Sequence, residues 1–234
     1  MDLKGLINIL ETHLLIQITN SSFMIQKKIF PILLLSIIGC ILTKNKSNYA
    51  SELSTFRQEY KDGFLHDVRS PLTKDDLPFL DFYPADPAWK LTCQCTKVEN
   101  AKTFDMPTYS GVTRLYRVYA MADCKYKGKD IRLNIYQNMT QPANPLYKGY
   151  LFLPFKDYTN DEETYGGGRY INLYEKDITD NQITIDFNKC YNPWCAYSSG
   201  YNCPVPPKEN HLTFEVNAGE KKFKGTYKKQ KSAK

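Results

Sequence analysis

Histidine is scarce. The chain holds three in 234 residues, and only His66 and His211 fall beyond residue 40. Imidazole is the usual neutral-pH base and metal ligand, so chemistry built on histidine has little to draw on. No Gly-x-Ser-x-Gly elbow, His-Glu-x-x-His helix or dinucleotide fingerprint is present, which removes the common hydrolase, zinc-peptidase and Rossmann signatures. Cys93-Gln94-Cys95 lacks the two-residue spacer that lets paired thiolates wrap one tetrahedral ion, and no second pair follows. No motif calls for a cofactor or a metal. Sustained helical periodicity is missing after residue 80, and there is no internal repeat or low-complexity tract. A clustered basic face is missing too. The net charge is +6, but lysines are interspersed with acids, so a nucleic-acid footprint is not expected. Only Lys221–Lys234 is dense in lysine, and it reads as a frayed, soluble end.

What is present begins with an export signal. Lys27 and Lys28 precede the apolar run Ile29–Ile38, which is too short to span a bilayer comfortably and ends in Gly39-Cys40. The stretch 24–40 resembles a bacterial lipoprotein signal peptide, in which the cysteine is lipidated and becomes the mature N-terminus. Several acyl chains then anchor the protein where one would not. The expected setting is the bacterial cell envelope, with Cys40 as the lipidation site and the membrane as a partner through the anchor. Met24 stands three residues before Lys27, at the head of this segment, so residues 1–23 read as a start-site extension, and 41–50 as a polar tether.

The mature chain reads as one β-rich domain over 51–227, followed by a basic tail over 228–234. Ser51 can cap a helix on which Leu53, Phe56, Tyr60 and Phe64 share a face. Thr73 to Asp76 resembles a capping box. From Trp89 the period becomes two. Leu91, Cys93 and Cys95 alternate with polar residues, then Tyr116 to Cys124, then Ile131, Leu133 and Ile135. Lys127-Gly128 is a hairpin signal. Tyr150–Phe155, Arg169–Leu173, Gln182–Phe187 and Leu212–Val216 read as further strands, and 100–111 as a loop. The expected fold is mainly β: an antiparallel sandwich or small barrel with one N-terminal amphipathic helix.

Seven cysteines occur. Setting aside Cys40 leaves an even number, which in an exported chain suggests disulfides. Cys124 can face Cys93 or Cys95 on a neighbouring strand, and Cys195 and Cys203 flank a short loop that one bridge can staple.

Polar character concentrates between Tyr150 and Glu215. Tyr165-Gly166-Gly167-Gly168-Arg169 has the makings of a backbone N–H nest with a guanidinium beside it, a recipe for holding an anion. The alternative is a flexible glycine turn with a surface arginine. Asp186 and Glu209 form a conceivable acid–base pair, with the competing reading that both satisfy irregular backbone. Cys195 with His211 is a weaker nucleophile–base arrangement, since Cys195 has a ready disulfide partner.

The run YLFLPF with Lys156-Asp157, ETYGGGRY, Asp186-Phe187-Asn188, Tyr191-Asn192-Pro193, Cys195-Ala196-Tyr197, Cys203-Pro204, PPKEN and Ala218-Gly219-Glu220 resembles a bacterial secreted and lipoprotein family, domain of unknown function 1684, in its short Bacteroidetes-type form. The resemblance runs from about Glu52 to Phe223. The family implies location and boundaries but no reaction. Its motif falls on Tyr165, Gly166, Gly168, Arg169, Asp186, Asn188, Asn192, Cys195, Cys203, Pro207, Glu209 and Asn210, and it implies a Cys195–Cys203 framework bridge.

The leading expectation is a lipid-anchored envelope protein whose β-domain binds a small molecule or anion. Tyr165, Gly166, Gly168, Arg169, Asn188, Asn192, Glu209 and Asn210 would form the site, with Tyr197 and Trp194 as walls. A hydrolase using Asp186 and Glu209 is the alternative from a different class, and a structural or interaction lipoprotein is the third. Arg169 is expected to meet Asp186 across the sheet, and Arg169→Ala to leave folding intact.

Overall fold

The computed structural model describes residues 48–140 and 148–229. The stretch 1–47, which holds Cys40 and the segment read as a signal, lies outside the described residues, as do 141–147 and 230–234. The chain divides between Ala50 and Ser51, and the architecture below is that of the unit beginning at Ser51.

Seven antiparallel strands form one sheet: β1 (Lys90–Lys97), β2 (Thr103–Pro107), β3 (Thr113–Tyr126), β4 (Lys129–Asn138), β5 (Tyr150–Phe155), β6 (Arg169–Tyr174) and β7 (Gln182–Asp186). Six follow the order β6-β5-β4-β3-β1-β7, and β2 pairs with β3 off that path. The sheet curls into an open half-barrel with one N-terminal helix, α1, which in this unit covers 51–66. The mainly-β reading therefore holds, as a single curled sheet.

Each strand follows from its alternation. In β1, Leu91, Cys93 and Cys95 are buried and their neighbours exposed. Lys127 and Gly128 both take positive φ, the geometry that joins β3 to β4 in a tight hairpin. A bulge between Val118 and Ala120 breaks the register of β3 with β4. It switches faces: Tyr116 enters an outer cluster with Met106, Tyr136, Phe152 and Tyr170, while Ala120, Ala122 and Cys124 enter the main core inside the curl. Tyr116, Val118, Ala120, Ala122 and Cys124, which alternate in the sequence as one face, are thus divided between two.

Two segments depart from the sequence reading. β2 lies within the stretch read as a loop. It is short, with Met106 its only buried residue, so no alternation announces it. Leu212–Val216 is not a strand. Leu212 and Val216 do enter the main core, but their backbone bonds to a loop. Leu212 N–H donates to the Lys156 carbonyl at 2.8 Å, and Val216 N–H to Asp157 Oδ1 at 3.2 Å.

Register also decides the disulfides. Gln94 pairs with Asp123 and Cys95 with Ala122, which sets Cys93 opposite Cys124, and these two are bridged. Cys195 is bridged to Cys203. Cys95 and Cys190 are buried free thiols. Helix α1 uses the face its spacing indicates, burying Leu53 and Phe64, and Phe64 joins Leu72, Leu80 and Tyr197 in a third cluster. Thr73 N–H donates to Asp76 Oδ2 at 2.7 Å, completing the capping box.

The C-terminal lysines are not frayed up to residue 229. Lys221 pairs with Glu163 at 3.0 Å and Lys224 with Asp81 at 2.7 Å, and Lys228 pairs with Asp76. Exposed pairs contribute little singly, but backbone bonds accompany them. Lys222 N–H reaches the Glu163 carbonyl at 2.9 Å and Lys228 N–H that of Tyr197 at 2.9 Å.

Candidate functional site

Arg169 opens β6 and is fully buried. Its guanidinium pairs with Asp157 Oδ2 at 2.7 Å, both side chains at 0% exposure. It also donates to the carbonyls of Val216 at 2.9 Å and Ala218 at 2.5 Å. Asp157 in turn accepts from Thr159 N–H at 2.9 Å and from the Thr159 hydroxyl. An arginine spent this way joins β6, the 156–165 loop and the irregular 212–220 segment. The expected meeting with Asp186 is replaced by Asp157, and the guanidinium beside the glycine turn is taken up by that carboxylate and by the Val216 and Ala218 carbonyls. The reason is local: the sheet turns Arg169 inward, where a charge must find an opposite charge and acceptors.

The glycine turn serves the same packing. Gly168 has φ +86, and a Cβ there would meet the Phe155 carbonyl oxygen at 2.6 Å. Only glycine lets this turn close on β5 without strain. Tyr165 is half-buried near Tyr109, ring centroids 6.4 Å apart, and Gly166 packs on Asp161.

The three asparagines are buried staples. Asn188 Nδ2 donates to the Asp86 carbonyl at 2.9 Å and to Asp186 Oδ1 at 3.0 Å. Asn192 Nδ2 donates to the Lys221 carbonyl at 2.8 Å. Asn210 Oδ1 accepts from Asn134 N–H at 2.8 Å, and its Nδ2 reaches the carbonyls of Asn134 and Pro154 at 2.9 and 2.7 Å. β4 and β5 share one register pair, Tyr136 with Phe152. Where they part, the Asn210 amide stands in for the missing ladder rung and covers Pro154.

Glu209 is exposed beside Asn210, on the β4 side. Asp186 ends β7, with β3 and β1 between β4 and β7 in the sheet. Asp186 Oδ1 accepts from Asn188 N–H at 3.1 Å and from Asn188 Nδ2 at 3.0 Å. Trp194 and Tyr197 pack under α1 rather than around Arg169. Of the residues named from sequence, the structure groups Asp186 with Asn188, and Arg169 with Asn192 around Glu220.

The fold creates a different concavity. β6 and β7 are the two ends of the curled sheet, and both line one cavity of about 550 Å³. At its end Tyr170 and Tyr191 exchange backbone bonds at 2.9 and 3.0 Å. Beyond that closure the strands face each other across a seam. Ile171 and Leu173 of β6, Thr184 and Asp186 of β7, and Phe56 and Tyr60 of α1 line it. Charge rings the seam: Lys90, Lys189, Glu59 and Asp177 also line it, and Lys189 is held by Glu52 at 3.1 Å. The lining is thus an apolar floor with a mixed polar rim, the usual composition of a small-molecule site.

Beside the seam lies Glu220, fully buried. Burial pushes its carboxyl up to about 7, against the pull of Asn192, Tyr197 and Tyr60. Sequence reasoning gave no role to Asp157 or Glu220, and of the seam residues it singled out Asp186 alone as a site candidate. Asp157 and Glu220 stand inside the motif that carries the family resemblance, but nothing in their spacing marks a buried charge. The Phe56–Tyr60 stripe was visible only as a packing face.

Among solved structures, the chain is similar to an uncharacterized protein of Haloarcula marismortui determined by solution NMR. The TM-score is 0.59 at 29% identity, covering 76% of this chain and 96% of that one. No protein of curated description matches. The family model described as "Protein of unknown function (DUF1684)" matches residues 76–221, which takes in the whole sheet, the Arg169–Asp157 pair and Glu220 but leaves out α1. The chain belongs to the DUF1684 family.

Proposed function

We propose that this chain is a lipid-anchored protein of the bacterial cell envelope whose β-domain binds a small organic molecule in the seam between β6 and β7. The observation that carries the binding reading is the cavity of about 550 Å³, lined by the apolar Ile171, Leu173, Phe56 and Tyr60 together with groups of both charge signs. An apolar body with one charged or polar end fits that lining. The anion contact first assigned to Arg169 passes to Lys90 and Lys189, and Glu59 and Asp177 offer the counterpart for an ammonium. The anchor reading rests on the 24–40 signal ending at Cys40.

Native mass spectrometry of protein purified from its envelope tests the first part. A small molecule should copurify and be lost from Thr184→Trp, which fills the seam. A ligand at about a hundred times its Kd adds about 2.7 kcal/mol of stability, so thermal shifts with separate carboxylate and amine series would name the head group. A seam that binds neither, with Thr184→Trp indistinguishable from wild type, would leave an envelope scaffold without a ligand. Labelled palmitate incorporation that survives Cys40→Ala would refute the anchor.

A further inference from the structure

Glu220 enters no ion pair among the described residues, yet it stands where α1 meets the rest of the domain. The Tyr60 hydroxyl of α1 lies 3.0 Å from its Oε2. The Tyr197 hydroxyl lies 2.7 Å from its Oε1. The two hydroxyls lie 2.9 Å from each other, and Asn192 N–H donates to Oε2 at 2.8 Å. Three oxygen–oxygen contacts close a ring, and each needs a proton within it. An ionised Glu220 leaves two, one from each tyrosine, so one contact sets lone pair against lone pair. A protonated Glu220 supplies the third. Oε1 then donates to Tyr197, Tyr197 to Tyr60, and Tyr60 to Oε2, which still accepts from Asn192.

The other charged groups nearby are engaged elsewhere. From β6, Arg169 is paired with Asp157 and touches only the Glu220 backbone carbonyl, at 3.4 Å. Lys221, next in the chain, pairs with Glu163. From α1, Arg57 and Lys61 stand over the Phe82 ring at 4.8 and 5.9 Å. From the segment after β7, burial pushes the Cys190 thiol up to about 11 and raises the Tyr191 hydroxyl. Burial also holds the Tyr60 and Tyr197 hydroxyls well above their ordinary value. Glu220 is the member of the ring that titrates near neutrality.

Tyr60 is also a wall of the seam cavity, one turn along α1 from Phe56. We propose that Glu220 is a proton-operated latch. As the neutral acid it closes the three-proton ring that holds Tyr60, and with it α1, over the seam; on losing its proton to solvent it breaks one edge of the ring and opens the seam. The latch stands on the ring alone, and its role as a gate rests on the seam's being the binding site.

The test compares wild type with Glu220→Gln. Glutamine reproduces the closed ring, its amide N–H donating to Tyr197 and its carbonyl accepting from Tyr60, but it cannot ionise. Infrared spectra of the wild type should show a carboxylic acid band that titrates away near neutral pH and is missing from Glu220→Gln. Hydrogen exchange of 51–66, corrected for intrinsic rates, should lose about tenfold protection between about pH 5 and about pH 9 in wild type, the effect of one hydrogen bond, and less than about twofold in Glu220→Gln. Uptake of Nile red, a neutral apolar probe of the seam, should rise with pH in wild type only. A missing infrared band, or the same loss of protection in the glutamine variant, overturns the latch. Dye uptake independent of pH in both proteins overturns the gate and keeps the seam reading. A latch that titrates while the dye binds at neither pH supports the latch and refutes the seam reading. If Glu220→Gln does not fold, Tyr60→Phe removes one vertex of the ring. It should leave α1 equally unprotected at both pH values, and retention of the wild-type pH change overturns the proposal.

Discussion

Replacing Arg169 separates a binding residue from a buried hub. From sequence, Arg169→Ala is expected to spare the fold. The structure reverses that expectation. Arg169 and Asp157 are both at 0% side-chain exposure and meet at 2.7 Å, and the guanidinium also satisfies the carbonyls of Val216 and Ala218. Truncation leaves the Asp157 carboxylate buried without its counter-charge, which costs about 3–5 kcal/mol. Orphaned carbonyls add about 1–3 kcal/mol each where water cannot reach them, although neighbouring losses do not sum fully. Since a domain is stable by about 5–15 kcal/mol, Arg169→Ala should unfold or nearly unfold the protein. Urea melts of Arg169→Met, Asp157→Asn and the double variant make the cycle. The double variant should be more stable than the sum of the single losses implies, by about 2 kcal/mol or more, because removing both charges leaves none stranded. An Arg169→Ala protein within about 1 kcal/mol of wild type would refute the buried hub and return Arg169 to the list of residues available to a ligand.

Three further outcomes follow from the same geometry. The Glu220 carboxyl, ordinarily at 4.5, sits at about 7 in the fold, so the folded state binds this proton more tightly than the unfolded one. The resulting stability is present in full below 4.5 and is lost as pH rises through about 7, about 3 kcal/mol in all; urea melts of wild type minus Glu220→Gln across that range should trace it, and a flat difference contradicts it. Gly168→Ala should cost about 1–3 kcal/mol in the same assay, from positive φ and the close Phe155 carbonyl, whereas a neutral result would show that the turn relaxes. Cys195→Ser with Cys203→Ser opens a loop of sequence separation 8 and should cost about 2–3 kcal/mol by loop entropy, measured as a lower denaturation midpoint against the oxidised parent.

Strands with one buried face were legible, since Leu91, Cys93 and Cys95, or Ile131, Leu133 and Ile135, carry a period of two that nothing else explains. β2 was not, because one buried methionine makes no pattern. Leu212–Val216 misled because alternation reports which side chains enter the core and not whether their backbone finds a ladder. At the candidate site, motif density marked a stretch whose polar residues the fold largely buries. Arg169, Asn188, Asn192 and Asn210 are buried among carbonyls and carboxylates of distant segments, and the same residue types would serve equally well around a ligand.

The sequence by itself determined the β class, the amphipathic face of α1, the hairpin at Lys127-Gly128, the shortage of catalytic signatures and the family. These properties rest on local periodicity, turn chemistry and ordered motifs, which a one-dimensional chain displays. Tertiary structure alone decided that Cys93 rather than Cys95 faces Cys124, since both share one face of β1 and only the pairing register of β1 with β3 chooses between them. It alone decided that Arg169 pairs with Asp157, and that the ends of a curled sheet bring β6 to face β7 across a seam. It alone set Tyr60 and Tyr197 around Glu220, 160 and 23 residues away in the chain. A buried carboxyl and its proton count are properties of that enclosure, and no spacing along the chain encodes them.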